Sequence, residues 1–521
     1  MTSIDTAPET IPEAARQAAQ RWPDQPAMID GDRRWTFAEL WRDARRAAAA
    51  LIATGTESGD TVAVWAPNSA QWVLAALGAQ IAGARIVPVN TRLKGVEAAD
   101  ILRRSHTVRL VTTRGFLGVD YPTLIADEDL PELRHIQLVE DWDAFVGGAQ
   151  DGPAVDERLA RLRPDDISDV LYTSGTTGSP RGVLTSHHQV TWMFDRWARR
   201  VDLQAGDRYL IVNPMFHVFG YKAGWVACLL MGATILPMAT FDVPEVIRRI
   251  ERERISFLPG PPTIFQSLLA ENARGGGSFA SLRVAVTGAA PVPPVLVERL
   301  HRELGLTNVV NGYGMTEHGA ITMTCKGDDA ETVANTCGCV LPGVEIRCVD
   351  ARGESLPPGA VGEFRVRGFG VMKGYLDDPA ATAAAIDADG WLHTGDVGSL
   401  DERGYLRITD RKKDMYISGG FNCYPAEIEK LLSGHTAIEM AAVMGVPDER
   451  MGEVGRAFVV LRPGADATAD DVLRWAKGAM ANYKVPRSIV FVDDLPKNAA
   501  GKIVRSDLRA LDAAGAGGPA A

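Results

Sequence analysis

Helix-like and strand-like patterns of hydrophobic residues alternate along the first hundred residues of the chain. Apolar residues recur at helical spacing over residues 11–21, where they fall on one face. Short continuous apolar runs, which are typical of buried strands, separate this stretch from further helical ones. The pattern predicts strands at 62–66 and 86–89 and helices at 38–53, 69–81 and 97–104. Strands and helices that alternate in this way indicate a layered α/β fold with parallel strands.

The same alternation resumes in the middle of the chain. It predicts strands at 209–212, 255–258 and 282–287 and a helix at 243–254. Each of these strands ends in a loop that contains Gly, Pro or Asn. Because ligands gather at the carboxyl ends of strands in open α/β sheets, we expect the functional surface to lie here.

The pattern changes in the last third of the chain. Short β-runs and turns fill residues 339–405, with strands predicted at 344–349 and 362–367. A smaller α/β unit follows, and its predicted elements are helices at 426–432 and 470–480 and strands at 440–446 and 456–461. The charged run 410–414 between the two parts is either a hinge or a passive linker. We therefore predict a large multi-subdomain domain over 1–410, a hinge over 411–414 and a small mobile domain over 415–521.

One apolar run, residues 223–241, approaches the length of a membrane span. Gly232 divides it and Pro237 interrupts its end, so we predict a buried helix through Met231 and a core strand over 233–236. The amino terminus lacks the basic start and apolar centre of a secretory signal. No transmembrane segment and a cytoplasmic location are therefore expected.

Composition narrows the function classes further. The chain has 521 residues, 46% of them hydrophobic and 23% charged, which is ordinary for a globular protein. Its net charge of −11 argues against a general nucleic-acid binder, because such proteins need a cationic surface. The six cysteines form no Cys-x-x-Cys pair, so we expect reduced thiols rather than a metal site.

The stretch 171–182, Leu-Tyr-Thr-Ser-Gly-Thr-Thr-Gly-Ser-Pro-Arg-Gly, begins within a predicted strand end at 170–172. Glycines let such a loop turn backbone N–H groups inward, and hydroxyls and an arginine add further donors. A concave surface rich in donors suits a polyphosphate. Gly/Ser/Thr/Pro clusters are also common in plain surface loops, and composition leaves the two interpretations about even. The Gly-Lys-Ser/Thr ending of the Walker loop is missing.

Two later stretches carry residue types that suit a nucleotide. In 311–317, Asn-Gly-Tyr-Gly-Met-Thr-Glu, glycines flank an aromatic ring that could stack on a base, although such a pattern is often only a tight turn. Glu317 in this stretch offers a hard oxygen ligand for Mg²⁺. In 391–396, Trp-Leu-His-Thr-Gly-Asp, Asp396 could accept from both ribose hydroxyls. The sequence alone favours a β-turn aspartate there.

Together these stretches resemble the motifs of the adenylate-forming superfamily, which comprises acyl-CoA synthetases, adenylation domains of peptide synthetases and luciferases. The resemblance runs from about residue 35 to about residue 508 and includes two further motifs, 410–414 and 496–503. Several motifs in the right order are far more specific than any one of them. Most members carry lysine where this chain has Arg181, so the cation is kept but its shape changes. The resemblance implies an enzyme that uses ATP, Mg²⁺ and coenzyme A.

The resemblance also implies roles for individual residues. Glu317 binds Mg²⁺ together with Thr173, Thr316 contacts phosphate or the acyl carboxylate, and Lys502 is the catalytic lysine of adenylation. Asp396 binds the ribose, Arg411 reaches the ribose or phosphate, and Lys413 is the hinge about which the small domain turns. The remaining nucleotide- and CoA-binding residues that it implies are Ser174, Gly175, Thr176, Thr177, Gly178, Arg181, Gly288, Ala289, Ala290, Asn311, Gly312, Tyr313, Gly314, Gly419 and Gly420.

Two histidines also fall at familiar positions of the family. His217, in the stretch 213–220, matches the region between the acyl pocket and the thiol tunnel of acyl-CoA synthetases. A lone histidine is more often a satisfied core residue, so the functional and structural interpretations are about even. His187 is given a structural role.

Three stretches, 219–224, 258–269 and 415–427, look close to one actinobacterial branch of the bacterial FadD-type acyl-CoA synthetases. Members of that branch activate the bicyclic indane-propanoate left by steroid rings C and D. The predicted partner is thus a small-molecule carboxylate, and a homodimer is compatible with the sequence. The alternatives are a medium- or long-chain fatty acid–CoA ligase, an acyl-AMP ligase that does not use CoA, a peptide-synthetase adenylation module that would need a carrier domain, and a non-catalytic nucleotide-binding protein. The presence of both Glu317 and Lys502 argues against the last.

Overall fold

The structure is a computed structural model that describes residues 7–173, 180–260, 262–275, 277–288, 292, 294–350, 352–411, 416–423, 425–496, 508–509 and 512. Contacts divide the chain into two compact units. Unit 1 comprises Met1–Thr91, Ala99–Tyr172 and Gly182–Asp410, and unit 2 comprises Arg92–Ala98, Thr173–Arg181 and Arg411–Ala521.

The helices of the described residues are α1 Ile11–Arg21, α2 Phe37–Ala53, α3 Ala70–Ile81, α4 Gly95–Arg104, α5 Tyr121–Leu124, α6 Trp142–Gly147, α7 Pro153–Arg161, α8 His187–Arg200, α9 Val218–Gly220, α10 Ala227–Met231, α11 Val243–Arg252, α12 Pro262–Ala273, α13 Pro294–Leu304, α14 Ala330–Asn335, α15 Pro379–Ala385, α16 Pro425–Leu432 and α17 Ala469–Ala479, with a π-helix over Tyr221–Val226.

The strands are β1 Pro26–Asp30, β2 Arg33–Thr36, β3 Thr61–Trp65, β4 Arg85–Pro88, β5 Thr107–Thr112, β6 His135–Leu138, β7 Ile167–Thr173, β8 Arg181–Ser186, β9 Arg208–Ile211, β10 Thr234–Pro237, β11 Phe257–Pro259, β12 Val284–Gly288, β13 Asn308–Met315, β14 Gly319–Met323, β15 Cys339–Val340, β16 Val344–Val349, β17 Gly362–Gly368, β18 Gly374–Tyr375, β19 Leu392–Leu400, β20 Leu406–Arg411, β21 Tyr416–Ser418, β22 Phe421–Cys423, β23 Ile438–Asp448, β24 Gly452–Leu461 and β25 Ser488–Phe491.

Helix starts follow local capping chemistry. The Thr36 hydroxyl accepts from the Glu39 N–H at the start of α2, and the Glu39 carboxylate accepts from the Thr36 N–H in return. The same reciprocal cap forms at the start of α8, between Ser186 and Gln189. Each cap satisfies backbone donors that a helix start leaves open, which fixes where the helix begins.

Within the described residues the strands form four sheets. Their strand orders are β15-β14-β13-β12-β11-β9-β10-β1-β2, β18-β8-β7-β4-β3-β5-β6, β16-β17-β19-β20 and β22-β21-β24-β23 with β25 beside β24. The first two contain the parallel strands that the alternating pattern predicts, including β3 with β4 and β12 with β13. In the first sheet the register pairs Thr287 with Asn311 and Gly288 with Gly312, so the predicted site residue Gly288 lies beside the start of the stretch 311–317.

Two boundaries differ from the prediction around residue 255. The predicted helix 243–254 ends at Arg252, since Arg254 adopts a left-handed conformation with φ of 50°. That turn delays the next strand, so β11 covers Phe257–Pro259 instead of 255–258. A single left-handed residue breaks the helical hydrogen-bond ladder without any signal in the hydrophobic pattern.

The apolar run 223–241 folds as a broken helix and a strand. Gly224 has φ of −92° and ψ of −108°, which are non-helical angles inside the π-helix. The chain then continues through α10 and turns at Gly232, whose φ is 76°. A side chain at Gly232 would also collide with the Trp22 ring at 2.7 Å. In the described ranges, none of the helices is both long and apolar enough to cross a membrane.

Candidate active site

Tyr313 and Asp396 meet in unit 1 although 83 residues separate them in the sequence. Tyr313 lies on β13 and is 8% exposed, and its hydroxyl donates to Asp396 Oδ2 at 2.5 Å. Asp396 lies within β19, and its own N–H donates to Thr394 Oγ1 at 3.1 Å. An aromatic face beside a carboxylate can hold a base and a ribose at the same time. The structure thus brings together two residues that were singled out separately from the sequence.

The glycines beside Tyr313 are required by strand packing. A Cβ on Gly312 would lie 2.0 Å from Met323 Sδ and 2.7 Å from the Thr322 carbonyl oxygen. A Cβ on Gly314 would lie 2.4 Å from the Gly319 carbonyl oxygen. Gly319, Thr322 and Met323 all lie on β14. The close approach of β13 and β14 therefore accounts for both glycines.

The Asn311 side chain is engaged by the protein itself. Its Nδ2 donates to the carbonyl oxygens of Val333 at 3.1 Å and Thr336 at 3.0 Å, and its Oδ1 accepts from the Gly312 N–H at 2.9 Å. Asn311 therefore ties the α14 segment to β13 next to Tyr313. These contacts shape the wall of the site.

Glu317 sits in the turn after β13 and is oriented by a tyrosine. The Tyr375 hydroxyl donates to Glu317 Oε1 at 3.0 Å, and the Met372 N–H donates to the Glu317 carbonyl oxygen at 2.8 Å. The side chain is partly exposed, and Thr316 beside it is also partly exposed.

This environment fits Mg²⁺, which commonly takes one or two carboxylates together with phosphate oxygens and water. Over the described ranges, no three His, Cys, Asp or Glu side chains are grouped as a metal site of their own. The donor set therefore suits a cation that arrives with a nucleotide more than one held by a protein cage. Nothing in the sequence around residue 375 pointed to the tyrosine that faces Glu317.

His217 caps the short helix α9 at the end of the loop that follows β9. Its Nδ1 accepts from the Phe219 N–H at 3.3 Å, which places the ring proton on Nε2. The ring reaches solvent, yet protein surrounds it closely enough that desolvation lowers the pKa of the imidazole from its usual 6.5. His217 is therefore neutral at pH 7 and presents an Nε2–H donor.

The His217 loop is anchored by Asn68. Asn68 Nδ2 donates to the carbonyl oxygens of Asn213 at 2.9 Å and Ile211 at 3.2 Å, and its Oδ1 accepts from the Met215 N–H at 2.8 Å. Three bonds from one buried amide hold the end of β9 and the following turn in place. His187, by contrast, is buried and its Nδ1 accepts from the Ile11 N–H at 3.4 Å, as expected for a structural histidine.

Gly419 and Gly420 form the tip of the β21–β22 hairpin in unit 2. Their φ angles are 56° and 84°, and two consecutive left-handed residues are what a two-residue hairpin turn of type I′ requires. The Gly419 N–H donates to the Met451 carbonyl oxygen at 2.9 Å. Both residues are exposed. Their left-handed backbone favours glycine independently of any contact with CoA.

Some predicted residues are described only in part or not at all. Thr173 and Arg181 are partly exposed at the ends of β7 and β8, while only the backbones of Gly288 and Arg411 are described. The remaining predicted positions lie outside the described residues: Ser174, Gly175, Thr176, Thr177, Gly178, Ala289, Ala290, Lys413 and Lys502. Their roles stay predictions.

A buried ion pair supports the strand that leads into the phosphate-loop stretch. Lys222 Nζ lies 2.7 Å from Asp169 Oδ1 and donates to Thr185 Oγ1 at 3.0 Å. Burial lowers the pKa of the Lys222 ammonium, an effect that Asp169 opposes. Asp169 lies inside β7, which begins at Ile167. β7 thus begins within the polar stretch 163–169, of which residues 167–169 are strand, and the buried cation is a partner for the Asp169 carboxylate there.

Comparisons with family models and with known proteins agree with one another. Residues 15–376 match the family described as AMP-binding enzyme, and residues 427–502 match the AMP-binding enzyme C-terminal domain. The chain is 49% identical over 517 residues to the 3-[(3aS,4S,7aS)-7a-methyl-1,5-dioxo-octahydro-1H-inden-4-yl]propanoyl:CoA ligase of Rhodococcus jostii, across 96% of this chain and 98% of that one. It is 50% identical over 510 residues to the ligase of the same name from Mycobacterium tuberculosis, across 96% and 99%.

A solved structure extends the likeness to the fold. The o-succinylbenzoate CoA synthetase of Bacillus subtilis, bound to a product analogue, superimposes with a TM-score of 0.83 at 30% identity, covering 95% of this chain and 98% of that one. The predicted α/β class, with a large amino-terminal domain and a smaller carboxyl-terminal one, is confirmed. The chain therefore belongs to the AMP-binding enzyme family, within the adenylate-forming superfamily.

Proposed function

We propose that this protein is an AMP-forming carboxylate–CoA ligase whose acid is the steroid-derived bicyclic indane-propanoate. The observation that carries the substrate is the 49% and 50% identity, over nearly the whole chain, to two ligases named for the thioester of that acid. The pairing of Tyr313 with Asp396 and the partly exposed carboxylate of Glu317, which accepts from Tyr375, support the nucleotide half of the reaction.

In the first step a carboxylate oxygen of the acid attacks the α-phosphorus of ATP, and pyrophosphate leaves. Tyr313 stacks on adenine, Asp396 and Arg411 hold the ribose, and the loop from Thr173 to Arg181 donates to the departing phosphates. The bound Mg²⁺, held by Glu317 and Thr173, would neutralise phosphate charge in this step. The product is an acyl-adenylate in which the acyl carbon is activated.

Adenylation brings two anions together, and a cation must offset their repulsion. Lys502 is assigned that role, since an ammonium placed over the acid carboxylate and the α-phosphate stabilises the charge that builds there. Thr316 donates to the same pair of groups. Arg181 keeps the positive charge of the loop with a planar guanidinium, which can contact two phosphate oxygens at once.

In the second step the CoA thiol loses its proton and attacks the acyl carbon, and AMP leaves. The smaller domain turns about Lys413, which removes Lys502 and presents the Gly419–Gly420 turn to CoA. A hinge of a few residues is sufficient for such an alternation. Splitting the work in this way lets one cavity serve two transition states.

His217 supports the acyl-binding assignment. A neutral imidazole at the position that the family pattern assigns beside the acyl group does not place an unpaired charge next to an apolar ring system, and its Nε2–H can donate to a carbonyl. By the family pattern the loop 288–290 borders both the adenine and the acyl group. The cytoplasmic location and the homodimer stay predictions, to be tested by cell fractionation and by light scattering of the purified protein.

The reaction class is tested with purified protein, the indane-propanoate, ATP, MgCl₂ and CoA. We expect release of pyrophosphate that depends on the acid, formation of AMP and a product with the mass of the CoA thioester. Pyrophosphate release without a CoA ester would instead identify an acyl-AMP ligase. Absence of acid-dependent pyrophosphate release with this acid and with fatty acids would reject the proposal.

A further inference from the structure

Two thiols of unit 1 lie close enough to react with each other. The Sγ atoms of Cys325 and Cys339 are 3.9 Å apart, although 14 residues separate the two cysteines in the sequence. Both residues are partly exposed, and neither cysteine is in a disulfide. The proposed ligase reaction uses neither thiol.

Strand pairing explains why these two side chains meet. Cys339 begins β15, and the residue opposite it on β14 is Met323. Cys325 follows Met323 by two residues, and an extended chain places such residues on the same face. The Thr324 N–H donates to the Asn311 carbonyl oxygen at 2.8 Å, which keeps the chain beside β13 just past the end of β14. Cys325 and Cys339 are therefore diagonal neighbours across the β14–β15 pair.

One guanidinium contacts both sulfur atoms. Arg200 ends α8, and its Nη1 donates to Cys339 Sγ at 3.3 Å and to Cys325 Sγ at 3.7 Å. The same group donates to the carbonyl oxygens of Met323 at 3.1 Å and Val340 at 3.4 Å, so it is fixed against both strands. Burial raises the pKa of the Cys325 thiol, and the Arg200 charge opposes that effect. A cation beside a sulfur favours the thiolate, which is the form that reacts.

From this geometry we propose that Cys325 and Cys339 are an oxidation site that forms a reversible disulfide with hydrogen peroxide. One thiolate attacks a peroxide oxygen, the O–O bond breaks, and a sulfenic acid and hydroxide are formed. The second thiolate attacks the sulfenic sulfur and displaces a second hydroxide. The two protons that the thiols gave up convert both hydroxides to water, so the sulfurs are oxidised and the peroxide is reduced.

The sulfur atoms have to approach from 3.9 Å to about 2.05 Å, a movement that rotation of the two side chains can supply. The bond would enclose residues 326–338, which include α14. Asn311 already donates to the carbonyl oxygens of Val333 and Thr336 in this segment. Because a closed loop has fewer open conformations, we expect its amide hydrogen exchange to slow by at least about 10-fold on oxidation.

The test is to locate the bond by mass spectrometry in the full-length wild-type protein. Trypsin cuts after Lys326, so Cys325 falls on peptide 303–326, and Cys337 and Cys339 fall on peptide 327–347. Reduced protein is treated with hydrogen peroxide at about pH 8, where more of each thiol is ionised. Remaining thiols are blocked with iodoacetamide in denaturant before digestion. We expect a linked pair of these two peptides, with fragment masses that place the bond on Cys339, and its loss after dithiothreitol.

The matched control is Cys337→Ser. Cys337 lies two residues from Cys339, but burial raises the pKa of its thiol to about 11. This variant should form the linked pair as the wild type does. Cys325→Ser and Cys339→Ser should not form it, and peroxide should leave their hydrogen exchange over 326–338 unchanged.

Three results of the mapping would each overturn the proposal: alkylated Cys325 and Cys339 after peroxide, a bond through Cys337, or a bond between two chains. Unchanged hydrogen exchange in the cross-linked protein would show that the bond does not restrain the segment. The mapping needs no variant, so it remains decisive even if a serine variant does not fold. It also needs no substrate, so its result is independent of whether the proposed function holds.

Discussion

Single side chains define the nucleotide half of the site. The Tyr313 hydroxyl fixes one oxygen of Asp396 at 2.5 Å, so the ring assigned to adenine also orients the carboxylate assigned to ribose. The contact uses Oδ2 rather than Oδ1, and Asp396 is only partly buried. One residue pair can thus set both the depth and the rotation of a bound nucleoside.

We expect Tyr313→Phe to raise the KM for ATP by roughly 10-fold with little change in kcat. Hydrogen bonds to charged groups contribute about 1.5–3 kcal/mol, while the ring that stacks on the base is retained. The measurement is acid-dependent ATP–pyrophosphate exchange over a range of ATP concentrations. Tyr313→Ala, which also loses stacking, should be worse. Equal KM values for Tyr313→Phe and wild type would show that the hydroxyl does not orient Asp396.

His187 links stability to pH. Burial lowers its pKa to about 3, whereas the unfolded value is about 6.5. Above pH 6.5 the ring is neutral in both states. Below pH 6.5 the unfolded chain binds a proton that the folded chain refuses, so stability is lost as the pH falls from 6.5 towards 3. At pH 5 this loss amounts to about 2 kcal/mol.

His187→Asn keeps an acceptor near the position of Nδ1 and removes the titration. We therefore predict that the unfolding temperature of the variant falls less steeply than that of wild type between pH 6.5 and pH 5. The comparison uses the slope of unfolding temperature against pH, measured by calorimetry, because the absolute stability of the variant also changes. Parallel slopes would mean that His187 is protonated in the folded protein.

Among the elements, the π-helix is tied to β7 by a buried ion pair. Lys222 lies in it and pairs with Asp169 on β7, and both side chains are at most 3% exposed. Ser168 Oγ donates to Asp169 Oδ2 at 2.7 Å, which helps to satisfy the carboxylate. Buried pairs of this kind add little net stability, yet breaking one leaves an unpaired charge.

Lys222→Met should destabilise unit 1 by about 3–5 kcal/mol, because it strands the Asp169 carboxylate in the core. Lys222→Met combined with Asp169→Asn should recover part of that loss. The matched control is Lys326→Met, which breaks an exposed pair with Asp202 of 2.9 Å and should cost at most about 1 kcal/mol. Thermal unfolding is the measurement. Similar losses for the two lysines would contradict the role of burial.

The spacing of hydrophobic residues along the chain predicted some elements better than others. The helix over Ile11–Arg21 and the strand over Val344–Val349 are confirmed at both ends, since a clear apolar face decides each of them. The π-helix could not be predicted, because Gly224 departs from helical angles within a continuous apolar run. Asp396 suggested a turn from local composition, yet pairing of β19 with β17 keeps it in a strand.

At the scale of the whole molecule, the chain divides into two compact units, and we expect adenylation and thioester formation to alternate. Local sequence could name Tyr313 and Asp396 as candidates, but their contact depends on two strands from different sheets. Tyr375 was not singled out from the sequence, and tertiary contacts that include the pairing of β18 with β8 bring it to Glu317. Distant pairings of this kind are fixed by tertiary packing, which local pattern does not encode.

Lys502→Ala tests the alternation. We expect adenylation to fall by at least about 100-fold, as when one group that stabilises transition-state charge is removed. Thioester formation from supplied acyl-adenylate and CoA should stay near the wild-type rate. The two half-reactions are measured separately, by pyrophosphate exchange and by CoA-ester mass. Equal loss in both would contradict a scheme in which Lys502 serves only the first.

The central claim is the acid, and a competition in one tube tests it most directly. Limiting protein is given ATP, Mg²⁺, CoA and equal concentrations of the indane-propanoate and of straight-chain acids of several lengths, and early CoA esters are quantified by mass. The ratio of products reports the ratio of kcat/KM values. The account predicts that the indane-propanoyl thioester dominates by at least about 10-fold, the discrimination that one or two well-placed apolar groups can supply. A product pool dominated by straight-chain thioesters would contradict it.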